Sequence, residues 1–244
     1  VTINAATTGA ITLNALTNVA NYSGTASDLA AAFTGITSHT GTLTTVGGLT
    51  GTASEVVDAL TGITTYAGTI TVSDAATIAQ LTTIDGIASG TLFYSSVTDT
   101  ASNLATNTGG YVKEDKIVTI DNGSTATLAQ LVTINAATSG AITLGTNTNA
   151  ANYSGTASGL ESAFAGIADG THTGTLTATG ATTVVQANKF DAVSAGVVTV
   201  TNTATVAQFN MLDGTTTADI VLTGGVTDTA AAFAAADGTT TAGR

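Results

Sequence analysis

Residues 116–135 read KIVTIDNGSTATLAQLVTIN, and their period changes halfway along. From Lys116 to Ile120 the residues alternate, so Val118 and Ile120 share one side of a strand and Thr119 faces the other. Asp121-Asn122-Gly123 supplies turn chemistry: Asx side chains bond their own backbone and glycine tolerates a left-handed conformation. From Ala126 to Asn135 the large apolar residues Leu128, Leu131 and Ile134 recur every third position, which holds them on one face of a short helix. The stretch predicts strand, turn, short helix.

The same pattern recurs outward in both directions. Segments of the form G-x-[ILV]-[TV]-x begin near Gly9, Gly41, Gly68, Gly90, Lys116, Gly140, Gly174, Gly196 and Ala218. Helix-like stretches matching Ala126–Asn135 without gaps run from Ala76 to Asp85 and from Ala204 to Asp213, with apolar sets Ile78/Leu81/Ile84 and Val206/Phe209/Leu212. Asp74, Asp99 and Asp228 stand where an N-cap is expected, and other units open on Thr-Ala-Ser, at Thr25, Thr52 and Thr156. A longer repeat overlies these units. Residues 1–37 and 132–168 are identical at about 27 of 37 aligned positions, and the match resumes at 38–44 and 171–177 after a two-residue insertion. We therefore divide the chain at 1–131 and 132–244, a first long repeat and a second, partial one. The ends fall in mid-unit, which reads as a segment of a longer array.

Helices of about ten residues are too short to stand alone and need packing. A β-α unit repeated in series predicts an α/β solenoid: a right-handed stack of about nine strand–turn–short-helix coils with one parallel β-sheet. On the core side lie pairs such as Ile70/Val72, Val118/Ile120 and Val198/Val200. The opposite face carries Thr12, Thr44, Thr71, Thr119, Thr143, Thr177 and Thr199, interrupted by Phe93 and Val221. This threonine column is the candidate interaction face, although β-branched residues also suit strand surfaces on propensity alone.

Composition narrows the function. The 244 residues include 28 glycines and no proline or cysteine, and only 8% are charged, far below the usual share of about 25%. The net charge of −12 and the few basic residues, Lys113, Lys116, Lys189 and Arg244, disfavour nucleic acid and anionic lipid. No apolar run approaches a membrane span, so no membrane insertion is expected. Without cysteine there is no disulfide framework or thiolate metal site.

Polar groups that repeat are candidate sites. Asp85, Asn135, Asp191 and Asp213 recur at helix ends, where calcium would suit their oxygens, but turn chemistry explains them and the G-G-x-G-x-D calcium pattern is absent. Apart from that low-ranked calcium reading, no cofactor is expected. Asp121-Asn122-Gly123 reads as the turn leading into a helix. His39 and His172 hold equivalent places in the long repeat and read as surface loop residues, one per copy being too few for a metal shell. Lys113-Glu114-Asp115-Lys116 reads as a solvated loop. No nucleophile, P-loop, dinucleotide or zinc-protease motif occurs, so no catalytic activity is expected.

Val97-Thr98-Asp99-Thr100-Ala101-Ser102-Asn103-Leu104 and Val226-Thr227-Asp228-Thr229-Ala230-Ala231-Ala232-Phe233 resemble the V-x-D-T-A-x-x-L repeats of giant extracellular surface proteins of cyanobacteria and proteobacteria. A shorter stretch, Ala207 to Gly214, is similar to A-x-x-L-N-x-L-D-G linkers of cyanophage tail fibres. The first resemblance implies an extracellular or cell-surface setting of adhesin or filament type and no catalytic residues. The expectation is a structural repeat segment, a stiff rod or filament subunit that self-associates head-to-tail or with flanking repeats. The alternative is a binding surface of ice-binding or adhesin type on the flat threonine face.

Overall fold

The computed structural model describes residues 6–45, 47–208, 220–225 and 229. Contacts divide the chain into two compact units: Val1–Thr98 with Thr108–Tyr111, and Asp99–Asn107 with Val112–Arg244. The junction of the two long repeats, at 131/132, falls inside the second unit.

In the first unit the elements are α1 (Ala15–Val19), β1 (Tyr22–Gly24), α2 (Ala26–Phe33), β2 (Leu43–Thr45), β3 (Leu49–Gly51), α3 (Ala53–Ala59), β4 (Thr65–Tyr66), β5 (Ile70–Val72), α4 (Ile78–Ile87) and β6 (Leu92–Phe93). Strand β7 (Ser96–Asp99) carries the chain out of it. The second unit holds α5 (Ala101–Thr106), β8 (Ile117–Ile120), α6 (Leu128–Ala137), β9 (Ile142–Thr143), α7 (Thr146–Ala150), β10 (Tyr153–Thr156), α8 (Ala157–Phe164), β11 (Leu176–Thr179), α9 (Val184–Val193), β12 (Val198–Val200) and β13 (Ile220–Leu222).

The expected single stack of nine coils on one sheet is not what forms. The strands are divided among four small parallel sheets of three or four strands: β1-β2-β4 and β3-β5-β6 in the first unit, β10-β11-β12-β13 in the second, and a fourth that contains the β8-β9 pair. The reason lies in short segments just ahead of the Thr-Ala-Ser openings, to which the periodicity assigns no strand. Tyr22-Ser23-Gly24, Leu49-Thr50-Gly51 and Tyr153–Thr156 pair as strands in their own right, so a repeat offers two extended segments rather than one. Leu43 therefore pairs with Tyr22, while Ile70 pairs with Leu49, and the two fall in different sheets. The alternation itself is realised: Val118 and Ile120, Val198 and Val200, and Ile70 and Val72 are buried with the intervening threonine outward.

Each helix presents a narrow apolar face. Ile78, Leu81 and Ile84 of α4 are buried in the first unit; Leu131 and Ile134 of α6 are buried in the second, where α6 packs on α8 and its Leu160. Burying such side chains contributes roughly 1.5–3 kcal/mol each, which holds helices too short to persist alone. Phe209, Leu212 and Asp213 of the third helix-like stretch lie outside the described residues.

Capping departs from the expected pattern. Thr77, rather than Asp74, caps α4, and Thr127 and Thr183 cap α6 and α9. Each accepts from the backbone N–H of the glutamine three residues on, and that glutamine returns a bond to the cap. Thr52 and Glu55 make the same box on α3. Asp74 instead accepts from Ala53 N at 2.7 Å, satisfying the first turn of a different helix, and Asp99 accepts from Thr100 N at 2.8 Å. Asp228 lies outside the described residues.

Two glycines show why the strand units open as they do. A Cβ on Gly68 would overlap the Gly47 carbonyl, and one on Gly174 the Ala151 carbonyl, so neighbouring chain segments approach backbone to backbone there.

Candidate interaction face and aromatic clusters

The outward threonines do not form one column. Thr44 lies in the first unit between Ser23 and Thr65 of the flanking strands. Thr71, in the other sheet of that unit, is flanked by Thr50 and Phe93. In the second unit Thr119 pairs with Thr143, and Thr177 pairs with Thr199 in the row Ser154–Thr177–Thr199–Val221. Thr12 is exposed beside Ile11, whose bridge to Ile36 is an isolated one. The structure thus joins Thr119 with Thr143 and Thr177 with Thr199, and leaves Thr12, Thr44 and Thr71 in other surroundings. Ser23, Thr50, Thr65 and Ser154 complete the hydroxyl rows. Ser23, Thr50 and Ser154 share a readable signal, a Ser-Gly or Thr-Gly pair directly ahead of Thr-Ala-Ser, whereas Thr65 has no such sequence after it.

The histidines carry the larger surprise. In the second unit Tyr153 from β10, Phe164 at the end of α8 and His172 from the following loop form a ring cluster. The His172 ring centroid lies 5.0 Å from Phe164 and 5.5 Å from Tyr153. The expected surface histidine is in fact wholly buried, and neither ring nitrogen has a partner. Burial alone pushes its pKa down to about 4, because no charge offsets the cost of desolvating an imidazolium. Burial likewise pushes the Tyr153 phenol up to about 12; its hydroxyl donates to Ala126 O at 3.0 Å. The backbone of His172 is pinned on both sides, with its N–H on Val193 O and its carbonyl accepting from Ala195 N.

The first unit repeats the cluster with Tyr22, Phe33 and His39, whose rings are 4.9–5.6 Å apart. There the histidine is only half-buried, and its Nε2 donates to Ala20 O at 2.9 Å. The readable signal for both clusters was a tyrosine, a phenylalanine and a histidine at matched positions in each long repeat.

The remaining polar groups serve local structure. Asp85 accepts from the Tyr111 hydroxyl at 3.2 Å, Asn135 donates to Ser162 O at 2.6 Å, and Asp121 accepts from Ser124 N at 2.8 Å. Asp191 is buried in α9, and Asp213 lies outside the described residues. In the charged loop Lys116 pairs with Asp115 at 3.0 Å, and Lys189 pairs with Glu161. The described residues hold no group of three or more His, Asp or Glu able to take a metal ion, and no helix long and apolar enough to cross a membrane. Chemically, the surface offers rows of hydroxyls, partly open aromatic edges and scattered carboxylates: groups that hydrogen-bond and stack.

No family model matches this chain, and neither a curated protein nor a solved structure matches it.

Proposed function

We propose that this chain is a structural, non-catalytic repeat segment of an extracellular or cell-surface protein, acting as a stiff spacer or filament subunit that self-associates end to end or with flanking repeats. The observation that carries this reading is the recurrence of one module in both units. A short strand pairs in parallel with a strand 21 to 24 residues away, and a threonine-capped helix covers the buried side. A module that satisfies its own backbone and caps can be added repeatedly without a new core design. Short parallel strands also present backbone groups at sheet edges, which favours pairing with a further copy. The setting rests on the Val97–Leu104 resemblance. Val97 is a buried strand residue, Asp99 accepts from Thr100 N, Thr100 caps α5 by accepting from Asn103 N, and Ala101 and Leu104 of that helix are buried, so each fixed position of that motif has a structural task. Its second occurrence, Val226–Phe233, is not among the residues described, apart from Thr229.

Negative-stain electron microscopy over a concentration series, with and without calcium, tests the proposal. Fibres of uniform width that lengthen with concentration are expected; particles that stay monomeric at every concentration would overturn the filament role.

A second reading is favoured by the hydroxyl rows Ser23–Thr44–Thr65 and Ser154–Thr177–Thr199: a binding face of adhesin or ice-binding type. Thermal hysteresis and ice-crystal shaping test the ice-binding form, and their absence removes it.

A further inference from the structure

The two copies of the long repeat differ at one seam. In the second unit the loop after α8 is stitched to the end of α9: Gly170 N donates to Ala192 O at 2.6 Å and His172 N to Val193 O at 3.1 Å. In the first unit the corresponding loop is two residues shorter, Ser38-His39 standing where the second copy has Asp169-Gly170-Thr171-His172. The helix facing it is shorter as well, α3 having 7 residues against 10 in α9. The seam stays open as a cavity of about 450 Å³ between the Phe33–His39 segment and the Asp58–Ile63 turn. Phe33 and His39, whose counterparts are sealed, line it here.

We propose that this cleft binds a neutral saccharide. Its apolar lining is Leu29, Phe33, Leu43 and Ile63, which suits the C–H groups of a pyranose. Thr37, Ser38 and Asp58 line it as well, and so does Thr61, whose hydroxyl donates to Val57 O and can still accept, so the lining includes groups that match sugar hydroxyls. The His39 ring is held in orientation by its bond to Ala20 O, so this wall is set before a ligand arrives. No lysine or arginine lines the cleft, and Asp58 repels anions, which excludes phosphates and acidic sugars. The volume lies within the roughly 300–1,000 Å³ of small-molecule sites. Gly62, at φ 80°, has open space where a Cβ would stand, which keeps the mouth clear.

Two-dimensional NMR titration of the full chain with methyl β-glucopyranoside and N-acetylglucosamine tests this, with glucuronate and choline as anionic and cationic probes. At least one neutral sugar is expected to shift the amide signals of Phe33–His39 and Asp58–Ile63 saturably in the millimolar range, with glucuronate inert. Thr61→Trp, which fills the mouth from an exposed position, should weaken binding about tenfold or more; Thr34→Trp, on the opposite lip, serves if the first variant loses its far-ultraviolet circular dichroism. Three outcomes overturn the proposal: no saturable shift with either sugar, tighter binding of choline than of both sugars, or sugar binding that survives in a folded mouth-filling variant.

Discussion

The ring of His172 packs 5.0 Å from that of Phe164 at an angle of 60°, enclosed so fully that both imidazole nitrogens lack a partner. Burial disfavours the charged form of that imidazole, so acid should lower the stability of the second unit within a defined window.

His172 titrates near 6.5 in an unfolded chain and near 4 when folded. Because the unfolded state takes up the proton first, stability is fully present above about pH 6.5, falls as pH drops toward 4, and changes no further from this group below that. The full loss is on the order of 3 kcal/mol, most of it reached by pH 4.5. Urea unfolding at pH 7.5 and pH 4.5 checks it, with His172→Phe and His172→Leu expected to show a smaller difference between the two pH values. Carboxylates that titrate in the same range are common to all three proteins. An undiminished difference in both variants would place the sensitivity elsewhere.

The capping boxes should matter in proportion to the bonds they close. Thr127→Ala removes the acceptor for Gln130 N and the group that meets Gln130 Oε1, and should cost about 1 kcal/mol. Thr127→Ser keeps the hydroxyl and should retain most of that stability in denaturant titration.

Gly174→Ala places a methyl against the Ala151 carbonyl, a backbone atom that cannot swing aside. Chemical denaturation should show a loss of at least about 2 kcal/mol. Gly86→Ala, at a helical glycine with open space around it, should be neutral or slightly stabilising.

Replacing Thr177 and Thr199 together by lysine puts two like charges side by side on neighbouring strands, on the face away from the core. If that face takes part in self-association, sedimentation velocity should show assembly reduced at concentrations where the parent chain associates. Leu160→Ala, in the core of the same unit, should instead unfold the chain more easily, by about 2–5 kcal/mol.

Local patterns were legible to the extent that they depend on neighbours in sequence. The alternation at Lys116–Ile120 and the spacing of Leu128, Leu131 and Ile134 are properties of a single strand and a single helix, and both elements form with their buried side chains close to those expected. The threonine cap of α6 was equally local, written in Thr127-x-x-Gln130, whereas Asp74, at an expected cap position by its sequence, serves the start of α3 some 21 residues away. Strand identity was harder. Tyr-Ser-Gly and Leu-Thr-Gly are too short to signal extended structure by periodicity, and they become strands because partners 21 residues on offer hydrogen bonds.

The amino-acid sequence by itself determined the repeated strand and helix modules, the outward threonines and the scarcity of charge, because these follow from period, propensity and composition. Only the tertiary structure decided which strands pair, and hence that the threonines lie in separate rows. It also decided that His172 is buried while His39 borders a cleft. Two inserted residues and three more residues of helix settle that difference, since a backbone hydrogen bond forms only where both segments are long enough to meet.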